Sequence, residues 1–314
     1  MHVLVTGGAG FIGSNTVDHL LQSGDRVRVL DDLSSGDLHN LADARRHGER
    51  FSFVQGDIRD AETVARAMTG ITHVLHLAAQ VFVPTSIEQP AFSSSVNVGG
   101  FVTTLDASRR AGVQRFVYAS SAAVYGVPDT LPVRESTPPA ALSPYALEKL
   151  VNDQYAELFR GLYGLSSCGL RYFNVYGPRQ DPRSTYSGVV SKFCERIAAQ
   201  AEVTIFGDGR QTRDFVAVTD VARANRAALL GEAVGVVNIA TGTSVDLLEL
   251  LDAMSELVGR PIVPKHAPAR SGEVRHSSVD PVRMRDDLGL REVTSLHEGL
   301  AALLASLGVE PSPV

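Results

Sequence analysis

MHVLVTGGAGFIGS, which runs from Met1 to Ser14, decides the fold of this chain. Its first part, His2 to Thr6, is a short apolar run that predicts a buried β-strand, and glycines follow at positions 7, 8, 10 and 13. From Ser14 to Ser23 apolar residues recur at helical spacing, and Gly24 is placed to end that helix in a left-handed conformation. A strand that turns into a helix through glycines leaves backbone N–H groups and the positive end of the helix dipole facing a phosphate. The stretch therefore predicts a nucleotide-binding site.

A carboxylate follows the next strand. The second apolar run, Arg26 to Leu30, ends at Asp31, eighteen positions after Gly13. A carboxylate at that point accepts hydrogen bonds from both hydroxyls of an adenosine ribose, and its charge opposes a 2′-phosphate. The pattern predicts NAD rather than NADP as the cofactor. The alternative is a glycine-rich turn followed by a solvated acid.

The composition is that of a globular protein with local rather than general charge. The 314 residues are 44% hydrophobic and 20% charged, which suits one large α/β domain and a smaller lobe. Lys and Arg number 29 against 35 Asp and Glu, a net charge of −6. We therefore expect no nucleic-acid or membrane partner. The chain has no signal-peptide pattern and no apolar run long enough to span a membrane, so the expected location is the cytoplasm.

The two cysteines have no metal-type spacing. Cys168 lies in an apolar strand-like run, and we expect both Cys168 and Cys194 to be inert free thiols. The histidines, His276 among them, show no arrangement of metal ligands. We expect no metal.

Apolar runs and helical patterns alternate along the chain. Strands are predicted at Phe51–Gln55, His73–Leu77 and Arg115–Ala119, with helices at Ala61–Met68 and Ser93–Ala111 between them. This alternation predicts a doubly wound parallel sheet with helices on both faces, the Rossmann type of α/β fold. Such a sheet binds ligands beyond the carboxyl ends of its strands.

Several residues follow these strands directly. Asp57 either hydrogen-bonds an adenine or caps a turn, and Ala78 and Ala79 either let a ribose approach the backbone or pack in the core. Residues Val81 to Pro90 are expected to form a loop. Small residues on the following helix predict close packing, either within the chain or in a helix-bundle dimer. They are Val96, Gly99, Gly100, Thr103 and Thr104.

The most reactive pattern is SPYALEK, residues Ser143 to Lys149, which opens a long helix. Tyr145 and Lys149 are four positions apart and share one helical face, so the ammonium lies close to the phenol or to a ribose beside it. The ordinary pKa of tyrosine is about 10. We expect the Lys149 charge and a positive nicotinamide ring to lower the pKa of Tyr145 enough for a phenolate near neutral pH.

Together these motifs resemble the UDP-sugar 4-epimerase family of extended short-chain dehydrogenases/reductases. The resemblance rests on segments in order along the chain: GGAGFIGSN, HLAAQ, SSAAVYG, SPYALEK, RYFNVYGPRQDP, FGDGRQTRDFVAVTDVA, VNIATG and RSGEVRHSSVD. It implies an NAD-binding Rossmann domain of residues 1–173 plus about 214–242. It also implies a smaller interleaved α/β domain that binds the nucleotide sugar, of about 174–213 plus 243–314.

The resemblance implies a role for each residue of the reacting group. Tyr145 is the catalytic base, Ser121 hydrogen-bonds the reacting sugar oxygen, and Lys149 tunes Tyr145 and holds the nicotinamide ribose. Tyr145 takes the proton of the sugar 4-hydroxyl while C4 gives a hydride to NAD⁺, and the 4-keto sugar turns over and recovers the hydride. The cofactor residues implied are Gly7, Gly10, Phe11, Ile12, Gly13, Asp31, Asp32, Ser35, Gly36, Asp57, Ile58, Leu77, Ala78, Ala79, Gln80, Asn97, Tyr145, Lys149 and Tyr172.

The resemblance also implies a nucleotide-sugar site. Asn174 contacts the diphosphate, and Arg213 and Arg270 grip the phosphates, for which the planar guanidinium fork is suited. The alternative for each arginine is a solvated side chain. Val189 and the run Val203 to Phe206 hold the uracil. The full set implied is Thr85, Ser121, Ala122, Tyr145, Asn174, Val189, Thr204, Phe206, Arg213, Arg270 and Ser277.

Residues that differ from those of related enzymes narrow the range of expected activities. Ala122 and Ala123 stand where related 4,6-dehydratases carry an Asp-Glu pair, and methyl groups supply neither acid nor base for elimination. The expected activity is 4-epimerisation of UDP-glucose and UDP-galactose. Ser277 aligns with the position that limits the space near sugar C2, and this small side chain is expected to admit the N-acetyl group of UDP-GlcNAc and UDP-GalNAc. Related epimerases for acetylated sugars often carry Arg where Thr85 stands.

Two other interpretations stay open. One is a UDP-glucuronate 4-epimerase, in which Thr85, Ser86 and Arg183 bind the carboxylate. The other is an NAD-sensing regulator that has lost catalysis, against which the intact Ser121 and Tyr145 argue. We further expect a homodimer formed through a four-helix bundle.

Overall fold

Apolar runs of the sequence become strands in a computed structural model that describes residues 1–181, 188–269 and 275–310. The strands are β1 His2–Thr6, β2 Arg26–Asp31, β3 Phe51–Gln55, β4 His73–His76, β5 Arg115–Ser121, β6 Ser167–Tyr172, β7 Asn174–Tyr176, β8 Thr204–Phe206, β9 Thr212–Ala217, β10 Gly235–Ile239, β11 Ser244–Asp246 and β12 Lys265–Ala267. Alternating apolar side chains of the main sheet are buried under helices on both faces.

The helices lie between the strands as the alternation predicts. They are α1 Phe11–Gln22, α2 Ala61–Ala67, α3 Val83–Glu88, α4 Pro90–Ser94, α5 Phe101–Arg110, α6 Pro144–Tyr163, α7 Val189–Ala198, α8 Val218–Leu230, α9 Leu247–Val258, α10 Val282–Asp286 and α11 Leu296–Ser306. Short 3₁₀ helices span Leu38–Leu41, Ala44–Arg50 and Ala122–Tyr125, and a π-helical segment spans Ser95–Gly100.

The main sheet is parallel and doubly wound. In the described part of the chain seven strands pair in the order β3-β2-β1-β4-β5-β6-β10. The order reverses between β1 and β4, which is where such sheets open a crevice for a ligand. Strand β10 comes late in the chain and pairs with β6. The predicted doubly wound α/β fold is confirmed.

Two smaller sheets belong to a second layer of structure. Strand β9 pairs in parallel with β7 and antiparallel with β11, and β8 pairs in parallel with β12. Buried side chains of α7, α9 and α11 pack against these strands, including Phe193, Leu250 and Leu300. Because β9 is continuous from Thr212 to Ala217, the small sheet crosses the boundary at 213/214 that the resemblance implies.

Two regions differ from the expected local structure. The predicted loop Val81–Pro90 contains the helix α3, because Pro84 lies in its first turn, where no N–H is needed, and the Ser86 hydroxyl donates to Val83 O. The long helix predicted from Ser93 is interrupted by the π-helical segment. Gly100 packs on Ile58, where a Cβ would lie 2.4 Å from the Ile58 Cδ1, while Gly99 faces outward. Part of the small-residue pattern is therefore explained by packing within the chain.

The cysteines are buried free thiols, as expected. Burial raises the pKa of Cys168 to about 11 and that of Cys194 to about 12, so both stay protonated. Among the described residues no helix has the length and apolarity to cross a membrane, and no three His, Cys, Asp or Glu side chains form a metal-binding group.

Candidate active site

The predicted cofactor residues lie at the carboxyl edge of the main sheet. Turns after four neighbouring strands carry most of them: Gly7, Gly10, Phe11, Ile12 and Gly13 after β1; Asp31, Asp32, Ser35 and Gly36 after or at the end of β2; Asp57 and Ile58 after β3; and Leu77, Ala78, Ala79 and Gln80 after β4. Tyr172 ends β6, Asn97 lies in the π-helical segment, and Tyr145 and Lys149 lie on α6. The topology brings this set together at one edge.

The glycine turn leaves no room for side chains. A Cβ on Gly7 would lie 2.7 Å from the Ala78 nitrogen, and Gly7 has φ +69°, which favours glycine. A Cβ on Gly13 would lie 2.1 Å from the Gly7 oxygen. The β1–α1 turn therefore presents bare backbone at the point where the strand order reverses. This cradle fits the pyrophosphate of a dinucleotide.

Asp31 also holds the turns around it. One carboxylate oxygen accepts the Ala9 N–H and the other accepts the Leu33 N–H, each at 2.9 Å. Leu33 has φ 62°, a left-handed conformation that this hydrogen bond supports. Burial raises the pKa of Asp31, and the two backbone donors act in the opposite direction. The sequence did not predict that Asp31 also accepts hydrogen bonds from these two backbone N–H groups.

Asp57 serves the turn after β3. Its carboxylate accepts the Arg59 N–H at 2.8 Å and forms an ion pair with the Arg59 guanidinium, which lowers the pKa of Asp57. The structure shows Asp57 as a turn residue, and its contact with an adenine stays a prediction. The adjacent Ile58 side chain is buried against Gly100.

The loop after β4 is fixed by side chains. The Asn97 amide accepts the Gln80 N–H and donates to Gln80 O, both at 2.8 Å. The Thr6 hydroxyl accepts the Ala78 N–H and hydrogen-bonds His76, and burial lowers the pKa of His76 to about 3, so this histidine is neutral. Gln80 Oε1 is buried with no hydrogen-bond partner among the residues that the structure describes.

The three residues of the predicted reacting group meet at the ends of β5 and α6. The Ser121 side chain lies close enough to the Tyr145 phenol to favour its ionised form. Lys149 Nζ donates to Ala119 O at 3.0 Å and lies 5.8 Å from the centre of the Tyr145 ring. The start of α6 is capped by Ser143, whose Oγ accepts from an N–H of the first turn.

On balance the protein's own groups raise the pKa of Tyr145. Burial raises it most, the Ser121 side chain acts in the opposite direction, and the charge of Glu148 raises it further. Burial also lowers the pKa of Lys149 to about 8, against the opposing charges of Asp153 and Glu148. The expected lowering of the Tyr145 pKa by Lys149 together with a positive nicotinamide ring stays a prediction, because burial dominates the pKa of Tyr145 in the protein alone.

Three of the predicted substrate residues lie on the small sheet or directly beside it. Asn174 Nδ2 donates to Asp214 O at 3.1 Å, and the Arg213 guanidinium donates to Thr212 O at 2.8 Å. The Ser277 N–H donates to Thr212 O at 3.2 Å. These contacts place Asn174, Arg213 and Ser277 around β7 and β9.

The remaining substrate residues are spread over several elements. Thr85 lies on α3, Ala122 opens the 3₁₀ helix after Ser121, and Val189 opens α7. Thr204 and Phe206 lie on β8. Arg270, and Arg183 of the glucuronate alternative, lie outside the described residues.

Sequence reasoning named Ser86 only for the uronate alternative and missed its contact with the reacting group. Ser86, fully buried on α3, accepts the Tyr145 N–H at 3.2 Å. It thereby ties α3 to the first turn of the helix that carries the tyrosine. The signal was weak, because a serine between Pro84 and Pro90 is typical of a loop.

A model of the NAD dependent epimerase/dehydratase family matches residues 3–240, more than half of the chain. The chain belongs to that family. The resemblance to its UDP-sugar 4-epimerases is confirmed by the relatives that follow.

The chain is similar to UDP-glucose 4-epimerases over nearly its whole length. That of Mycolicibacterium smegmatis is 42% identical over 312 residues, which cover 96% of each chain. The enzyme of Thermotoga maritima, solved with UDP-glucose, superposes with a TM-score of 0.92 at 39% identity, covering 98% of this chain and 99% of that one. The enzyme of Thermus thermophilus, solved with NAD, superposes with a TM-score of 0.88 at 38% identity and the same coverage.

Proposed function

We propose that this protein catalyses the NAD-dependent 4-epimerisation of UDP-hexoses through a 4-keto sugar. The observation that carries the proposal is the grouping of Ser121, Tyr145 and Lys149 beside the bare glycine turn at the reversal of strand order. The family and the UDP-glucose 4-epimerases described above support it.

The residues present fit a bound NAD. The backbone around Gly7 and Gly13 would hold the pyrophosphate, Asp31 the adenosine ribose, and Lys149 the nicotinamide ribose. NAD⁺, when bound, supplies the reversible two-electron oxidation at sugar C4.

The chain's own residues handle the proton. Tyr145 takes the proton of the sugar 4-hydroxyl and returns it, and Ser121 donates a hydrogen bond to the same oxygen. Lys149 stays mostly protonated at neutral pH, because its pKa is about 8, and its charge favours the phenolate form of Tyr145. A second positive charge at the cofactor position is needed to outweigh the effect of burial.

The residues after Ser121 favour epimerisation over elimination. Ala122 and Ala123 form the first turn of a 3₁₀ helix there and offer no acid or base. A 4-keto sugar beside these two positions meets no acid there that could protonate a departing 6-hydroxyl, which favours return to the 4-hydroxyl.

For the nucleotide sugar we keep the assignment to the lobe of about 174–213 plus 243–314. Asn174, Arg213 and Arg270 would hold the diphosphate, and Val189, Thr204 and Phe206 would lie near the uracil. Ser277 would leave room for a 2-N-acetyl group, and Thr85 would face the sugar from α3. The uronate alternative is weakened, because Ser86 is fully buried and its oxygen already serves the Tyr145 N–H.

The test is turnover of UDP-glucose, UDP-galactose, UDP-GlcNAc, UDP-GalNAc and UDP-glucuronate by wild type and Tyr145→Phe. We expect wild type to interconvert the neutral hexoses, and Tyr145→Phe to lose about 10²- to 10⁴-fold in kcat with unchanged NAD affinity. Turnover of the uronate alone would overturn the substrate assignment. A wild type inert on all five sugars would favour the NAD-sensing regulator.

We further propose that two copies pair through α5 and α6 as a four-helix bundle in the cytoplasm. Leu147, Leu158 and Leu162 on α6 are 53%, 52% and 63% exposed, an unusual apolar load for a helix surface. Leu158→Glu is expected to yield monomers in sedimentation velocity, whereas Val263→Glu, at an apolar side chain 82% exposed elsewhere, leaves the dimer intact. A Leu158→Glu protein that remains dimeric would contradict this interface.

A further inference from the structure

The residue before Lys149 is a buried acid that the proposed reaction does not use. Glu148 is 5% exposed on α6. Its Oε2 accepts the Ser93 hydroxyl at 2.8 Å and the Asn97 amide at 2.6 Å. Ser93 and Asn97 are themselves almost fully buried. A carboxylate in such a place needs donors, and these two satisfy it.

The Asn97 amide has only one orientation that satisfies all its contacts. Its oxygen accepts the Gln80 N–H, and its nitrogen donates both to Gln80 O and to Glu148. Turning the amide over would set its NH₂ against the Gln80 N–H and its oxygen against the carboxylate. Because a carboxylate only accepts, Glu148 excludes that second orientation.

A second hydrogen bond, from a residue one turn further along α6, also holds Asn97. Asn152 Nδ2 donates to the Asn97 backbone oxygen at 3.0 Å. The π-helical segment is therefore held by α6 through both its side chain and its main chain. In this way the helix that carries Tyr145 and Lys149 is linked to the loop after β4.

We propose that Glu148 is a positioning residue, which orients the Asn97 amide and so fixes the Gln80 main chain against which NAD binds. The inference rests on the proposed function for the identity of the cofactor. Glu148 acts through Asn97 and touches neither cofactor nor sugar. Glu148 keeps the loop after β4 ordered before NAD binds, so less conformational freedom is lost on binding and the affinity for NAD is higher.

The test compares Glu148→Gln with Glu148→Leu by calorimetric titration of NAD⁺. The glutamine oxygen can occupy the Oε2 position and keep both hydrogen bonds, so Glu148→Gln is expected to bind NAD⁺ within about threefold of wild type. Glu148→Leu leaves the Asn97 and Ser93 donors without their acceptor and is expected to raise the Kd by about 10- to 100-fold. Equal affinity of Glu148→Leu and wild type, or equal losses in both variants, would overturn the proposal.

A matched control separates positioning from general loss of stability. Asp25 is a carboxylate 5% exposed at the amino edge of the sheet, where it pairs with Arg226. Asp25→Leu is expected to lower the unfolding free energy as Glu148→Leu does and to leave the NAD⁺ affinity unchanged. A parallel loss of affinity in Asp25→Leu would show that stability alone is measured.

A reciprocal pair covers the case in which Glu148→Leu does not fold. Asn97→Asp sets two carboxylates against each other, and adding Glu148→Gln restores one hydrogen bond in the reverse direction. The double variant is expected to bind NAD⁺ about tenfold more tightly than Asn97→Asp alone. Absence of this recovery contradicts the proposal. Because NAD⁺ binding is measured without turnover, a wild type that epimerises no UDP-sugar would contradict the proposed function but would not affect the outcome of this test.

Discussion

Replacing Lys149 by Met is expected to change how the stability of the folded chain depends on pH. Lys149 is 4% exposed, and burial lowers its pKa from 10.5 to about 8. Between these two values the unfolded chain binds more protons than the folded one. The stability of wild type therefore rises with pH through this window, and the cost of burying the ammonium is fully present below it.

The magnitude follows from the two pKa values. For a single group that titrates at about 8 when folded and about 10.5 when unfolded, the gain in unfolding free energy from pH 7 to pH 10 is about 2.5 kcal/mol. Lys149→Met lacks this group and so lacks the gain. Its other effect, loss of the hydrogen bond to Ala119 O, is the same at both pH values and cancels in the comparison.

The assay is urea denaturation of cofactor-free wild type and Lys149→Met at pH 7 and pH 10. Tyrosines and other groups titrate equally in both proteins, so only the difference between the two pH dependences is used. The chain has three lysines, Lys149, Lys192 and Lys265, so ¹³C-methylated lysine resonances also report the Lys149 titration directly. Identical pH dependences in the two proteins would refute the reasoning, since Lys149 would then keep its ordinary pKa.

Two further substitutions test the cradle and the support of the catalytic helix. Gly13→Ala should abolish NAD⁺ binding in calorimetric titration and destabilise the fold by about 1–3 kcal/mol, because its Cβ would lie 2.1 Å from the Gly7 oxygen. The control is Gly161→Ala, whose Cβ would have nothing within 4 Å; it should be neutral or stabilise the fold by about 0.5–1 kcal/mol. NAD⁺ binding by Gly13→Ala at wild-type affinity would rule out the cradle. Ser86→Ala should lower kcat by about tenfold or less with little change in NAD⁺ affinity, because the Tyr145 N–H loses its acceptor, and an unchanged kcat would show that this anchor does not position the tyrosine.

The sequence predicted the elements whose local pattern agrees with their final surroundings. The run His2–Thr6 and the glycines after it form the strand and turn as expected, since burial and backbone freedom are both encoded there. Strands of the main sheet were found for the same reason. The meeting of Tyr145 and Lys149 followed from helical spacing alone.

The features that the sequence did not predict depend on contacts between residues far apart in the chain. The 3-residue strands β7 and β11 carry too few residues to show alternation, and β9 begins with the polar run Thr212-Arg213-Asp214. The sequence did not single out Glu148, because its partners come from a segment about fifty residues earlier. The sequence also did not predict that burial raises the pKa of Tyr145 in the protein alone, because burial of a side chain cannot be judged from its helical neighbours.

Asp31 limits how readily this chain could change its choice of dinucleotide. The acid that would discourage a phosphorylated ribose also secures Ala9 in the glycine turn and the left-handed Leu33. Replacing Asp31 by a residue without side-chain oxygens would release both amides, and an asparagine there, with one carbonyl oxygen, would keep only one of them. A change of cofactor toward NADP would therefore also require a new acceptor for the released amide of the turn.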